Sequence, residues 1–83
     1  MKTRDFGLIS ALRSLGHKEL EIDQRNTDKV FFLFDDTLIP IADDYYQDRL
    51  VVIARQYHES LKELKSLIWH IRSTQKVEKH NYK

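Results

Sequence analysis

Two pairs of adjacent carboxylates, Asp35-Asp36 and Asp43-Asp44, are the first residues in this 83-residue sequence whose type and spacing could do chemistry. Carboxylates gathered at a strand end can hold Mg²⁺, whose hard oxygen ligands serve phosphodiester cleavage. No Lys- or Glu-containing pattern follows either pair at close spacing. Aspartates in such places also have ordinary work. Asp35 and Asp36 would end a strand and cap a helix, and Asp43 and Asp44 would line a solvated helix face. The four histidines, His17, His58, His70 and His80, include no pair at i, i+4, so they offer no H-x-x-x-H metal clip. His58 and His70 on one helix would stand about 18 Å apart by helical rise, too far to share an ion. Ser10, Ser14, Ser60, Ser66 and Ser73 are isolated on helical stretches without a neighbouring base. Two glycines are too few for a phosphate-binding or dinucleotide loop. With no cysteine there is no thiolate to attack a substrate or bind zinc. The expectation is a chain without catalysis, cofactor or metal.

What remains is binding, and the last third of the chain carries it. Tyr57, Leu61, Leu64, Ile68 and Ile71 recur at alternating steps of four and three, the seam of an amphipathic helix. About two heptads are too short for an isolated coiled coil, so most of the seam is expected to pack on the protein's own sheet. Trp69 departs from it. It lies about 100° around the helix from Ile68, so both cannot enter one narrow core. An exposed Trp beside Leu67 or His70 is an interface anchor. Tyr57, Leu67, Trp69 and His70 are therefore the candidates for meeting a protein partner or a second copy of the chain, since a small domain gains burial by dimerising.

The alternative is weak DNA or RNA binding by the same helix. Lys62, Lys65, Arg72, Lys76 and Lys79 have Trp69 and Tyr82 interleaved, so cations could meet phosphates while an aromatic stacks. The formal net charge of +1 divides into −3 over residues 1 to 54 and +4 over residues 55 to 83. That is modest for a nucleic-acid binder, and the acidic middle would repel a phosphate backbone.

The elements that must position these residues follow from periodicity. Residues are 41% hydrophobic and 33% charged, the balance of a globular chain. A single domain of this size hides only about 60–65% of its unfolded surface. Leu8, Leu12 and Leu15, with Ile9 and Ala11, predict a helix from Asp5 to Leu15, capped by Asp5 or Thr3 and ended by Gly16. Gly7 in its first turn is a mild weakness. Leu20 and Ile22 alternate with acidic residues as a half-buried strand, and Gln24 to Asp28 supplies a turn. Val30 to Phe34 is continuously apolar, the central strand and heart of the core. Asp35 to Thr37 caps a second helix with Pro40 in its first turn. Leu50-Val51-Val52-Ile53 is β-branched and reads as a third, edge strand, with helix the competing assignment. A long helix runs from Arg55 to about Thr74, after which a basic tail over 75–83 is expected to fray. No apolar run is long enough for a signal peptide or a membrane span, so the expected address is the cytoplasm, away from membranes.

The opening Lys2-Thr3-Arg4-Asp5-Phe6, the Gly16 turn, the VFFLFDD strand (Val30 to Asp36) and LKELKSLI (Leu61 to Ile68) together resemble the domain of unknown function 5659 family. The resemblance covers residues 2 to about 72. It implies a small bacterial or phage-type protein with a mobile-element flavour, and no activity. The expected fold class is α+β, a small antiparallel sheet of two or three strands packed by helices in the order α-β-β-α-β-α. The expected function is a non-catalytic interaction module, adaptor- or inhibitor-like, working through its C-terminal helix.

Overall fold

Asp5 opens the first helix by doing what its side chain favours. Its carboxylate accepts from the amides of Gly7 at 2.9 Å and Leu8 at 3.2 Å, two donors that a helix start otherwise leaves unpaired. The computed structural model of the protein describes residues 1–26 and 28–81, with side chains described through Thr74. Its elements are β1 (Lys2–Thr3), α1 (Phe6–Ser14), β2 (Glu21–Asp23), β3 (Phe31–Leu33), a 3-10 turn (Asp36–Leu38), α2 (Ile39–Tyr46) and α3 (Ala54–Asn81). Gly16 ends α1 at φ 91°. There the amides of Gly16 and His17 return to the carbonyls of Arg13 and Leu12, both at 3.0 Å, a left-handed helix end that glycine adopts without strain.

β3 lies between β1 and β2 and is antiparallel to both. Thr3 and Ile22 flank Phe32, while Lys2 and Glu21 flank Leu33 and Asp23 faces Phe31. Successive side chains point to opposite faces, so the first three residues share the core side. Val30, Phe32 and Phe34 are buried there with Leu8, Ile9 and Leu12 of α1, Ala42 of α2, and Leu64, Ile68 and Ile71 of α3. The continuous apolar run thus sits centrally, as its composition predicts. Phe31 and Leu33 turn to the other face and stay half-buried. Lys2 Nζ is 4.6 Å from the Phe31 ring centroid and 3.6 Å from an Asp23 oxygen, so a charged stem covers the ring.

The third strand is not the expected one. Leu50–Ile53 forms no strand, and Val51 is 83% exposed. Lys2–Thr3 supplies the third strand instead, and the order is β-α-β-β-α-α within the expected α+β class. The reason is pairing: β-branched residues form a strand only where a ladder partner and a packing surface exist. The chain leaves α2 through Asp48 at φ 59°, and the amides of Arg49 and Leu50 both turn back to the Asp44 carbonyl. Ile53 then gives its carbonyl to the Tyr57 amide at 2.9 Å. These residues are consumed in ending one helix and starting the next.

α3 sets the long axis of a molecule measuring 50 × 26 × 18 Å. Its helical backbone continues through Asn81, past the expected end at Thr74. Tyr82 and Lys83, the close of the expected tail, lie outside the described residues.

Candidate interaction face

α3 is two-sided because its sequence repeats one spacing twice. Leu61, Leu64, Ile68 and Ile71 step by three, four and three. Leu64, Ile68 and Ile71 are buried, and Leu61 is half-buried. Lys62, Lys65, Trp69 and Arg72 repeat the same steps one residue later, and so lie about 100° around the helix. All four are exposed, Trp69 at 70%. An indole and three cations therefore share one rigid helical face.

Two shallow depressions meet at Trp69. One is lined by Lys65, Ser66, Trp69 and His70. The other is lined by Phe6, Lys65, Ile68, Trp69, Arg72 and Ser73. Beyond it, Arg4, Phe6, Asp28, Val30, Ile68 and Arg72 surround a cleft of about 220 Å³. Arg4, Phe6, Asp28 and Val30 were not candidates from sequence. They come from the β1–α1 corner and the β2–β3 turn, and only the fold brings them beside α3.

The sequence candidates separate by phase. Trp69 and His70 are exposed. Leu67 packs against the core, and Tyr57 is half-buried, its phenol interacting with that of Tyr45. Lys62, Lys65 and Arg72 stand on the Trp69 face, whereas the side chains of Lys76 and Lys79 lie outside the described residues.

The acidic pairs are structural in their contacts. Asp35 accepts from the Thr37 amide at 2.9 Å, and this bond holds its carboxyl below the usual carboxylate range. Asp36 meets the Met1 ammonium, which also donates to the Phe34 carbonyl at 2.8 Å. Asp44 lies 3.5 Å from Arg49, and Asp43 is exposed. His17 is half-buried and His58 exposed, while the His80 side chain lies outside the described residues. Among the described residues no group of three or more His, Cys, Asp or Glu could hold a metal ion. Nor, among them, is any helix long and apolar enough to cross a membrane.

A tyrosine cluster ties α2 to α1. Tyr46 donates to Asp5 at 2.8 Å, and its ring meets Tyr45 edge-on with centroids 5.2 Å apart. Burial, and then the Asp5 carboxylate, push both phenols above their usual range.

Comparison with protein-family models, curated proteins and solved structures gives no match to this chain.

Proposed function

We propose that the chain is a non-catalytic protein-interaction module, adaptor- or inhibitor-like, that binds a protein partner through the outer face of α3. One observation carries this reading: Trp69 is 70% exposed on a helix whose adjacent stripe is buried. Trp is costly to leave in water and is enriched at the centre of binding sites. α3 is anchored by Leu64, Ile68 and Ile71, so Trp69 is presented without loss of loop entropy. A mobile-element or phage setting belongs to the proposal on the strength of the resemblance of Lys2–Phe6, Val30–Asp36 and Leu61–Ile68 alone.

The test compares wild type with Trp69→Ala as bait at equal folded fraction. A candidate protein retained by wild type and lost by the variant is then purified and rebound directly. The reading requires the purified pair to bind and Trp69→Ala to weaken it at least about tenfold, the scale of an interface anchor. An identical set of retained proteins for both baits sinks it.

Lys65 and Arg72 on either side of Trp69, with Lys62 further along the same face, favour one further reading, weak DNA or RNA binding by that face. Gel-shift titration at low salt tests it, and no shift there ends it.

A further inference from the structure

We infer that the partner is an acidic protein segment: a large apolar side chain flanked by carboxylates, seated between Trp69 and the cleft beside it. The inference rests on the protein-binding reading of the α3 face and names the chemistry of its occupant.

The cleft has an apolar floor and a charged rim. Phe6, Val30 and Ile68 supply the floor, and Arg4, Arg72 and Asp28 the rim. At about 220 Å³ it has room for one side chain of a peptide. Phe6, Ile68 and Arg72 also line the groove that reaches Trp69 and Lys65, so cleft and indole form one continuous track. Guanidinium groups take carboxylates through two parallel N–H bonds.

Charge decides among occupants. Three cations, Arg4, Lys65 and Arg72, border the track, and the exposed Lys62 stands about one turn beyond Lys65 on the same helix. A second copy paired two-fold over Trp69 would bring Lys65 against Lys65 of the other copy if the helices ran parallel and against its Arg72 if they ran antiparallel, so like charges oppose that dimer. A phosphodiester chain would run its charge past Asp28, whereas a peptide brings N–H groups that Asp28 can accept.

The experiment screens a displayed library of random peptides against the full chain, wild type and Trp69→Ala. The expected result is Trp69-dependent peptides enriched in Asp or Glu near Leu, Phe or Trp. The best synthetic peptide should weaken about tenfold with Arg4→Glu, several-fold with the milder Arg4→Gln, and not at all with Lys18→Glu at a remote exposed site. Thermal midpoints confirm that each variant is folded. Trp69-dependent peptides without acidic enrichment, or indifferent to both Arg4 variants, overturn the acidic partner and leave the protein-binding reading standing. No Trp69-dependent peptide overturns both. Binding of a mixed-sequence single-stranded DNA oligonucleotide in place of peptides makes nucleic acid the occupant. A dimer in light scattering that Trp69→Ala dissolves makes it a second copy. Either result overturns the inference.

Discussion

The hydroxyl of Tyr45 occupies the space beside Gly7 where any other residue would place its Cβ. The glycine that weakens the first turn of α1 on propensity grounds is therefore the surface on which α2 docks. Gly7→Ala should gain about 1 kcal/mol in helix propensity and lose more than that by overpacking, which costs about 1–3 kcal/mol. Urea unfolding should show a net loss of stability, and Tyr45→Phe in the same chain should restore part of it. Two independent, additive effects would show that the contact does not govern this position.

Two positions of α3 should respond very differently to the same substitution. Trp69 faces solvent while Leu64 is buried in the core. Trp69→Ala is expected to change stability by less than about 1 kcal/mol, as surface positions do. Leu64→Ala should cost about 2–5 kcal/mol through lost burial and the cavity left behind. A large loss for Trp69→Ala in denaturant unfolding would place the indole in the core and remove the proposed face.

How much of this was legible in the sequence depends on whether a signal was local. The seam of α3 and the displacement of Trp69 from it are periodic, so both could be read directly. The cap at Asp5 and the stop at Gly16 are residue-type signals, and both stand where expected. Strand β1 was invisible because Lys2–Thr3 has no apolar pattern. It is a strand because β3 offers it a ladder, and the Phe34 amide reaches the Met1 carbonyl at 2.7 Å. Leu50–Ile53 carried the composition of a strand without any partner to pair with. Arg4 and Asp28 could not be foreseen beside α3, since no spacing rule links the β1–α1 corner to a distant helix.

Alkaline pH should loosen the joint between α1 and α2. The phenols of Tyr45 and Tyr46 are pushed up by burial and by Asp5, so their contribution is fully present below the ordinary tyrosine value near 10 and is lost as pH rises through the raised folded values. Tyr46→Phe removes the bond donated to Asp5, at a cost of about 1 kcal/mol, and should flatten part of the alkaline slope. Stability followed by denaturant midpoint, with tyrosinate absorbance, checks this. An unchanged slope in Tyr46→Phe would sever the link.

At low pH the sign reverses. Asp23 is held well below the usual carboxylate range, chiefly by the Arg25 side chain, whose Nη2 and Nε donate to its two oxygens at 2.7 and 3.0 Å. Asp35 is lowered by the Thr37 amide. Depressed carboxylates contribute stability above their unfolded value near 4, and it drains away as pH falls through the folded values. Midpoints measured from neutral pH down to about pH 2 should therefore decline below about pH 4. Asp35→Asn keeps an acceptor for the Thr37 amide but cannot be protonated, so its decline should be shallower than that of wild type.

Ser10 offers the one substitution expected to help. Its side chain is fully buried in α1, and its hydroxyl has no hydrogen-bond partner among the described residues. The folded state therefore carries a desolvated hydroxyl, a burden of about 1–3 kcal/mol where nothing compensates it. Alanine removes the hydroxyl, has the better helix propensity and opens a space no larger than one oxygen atom. Ser10→Ala is expected to raise the thermal midpoint, while Ser10→Val should lower it by overpacking the same spot. If Ser10→Ala instead destabilises the chain, the hydroxyl has a partner in solution, and this part of the α1 interior is wetter than its burial implies.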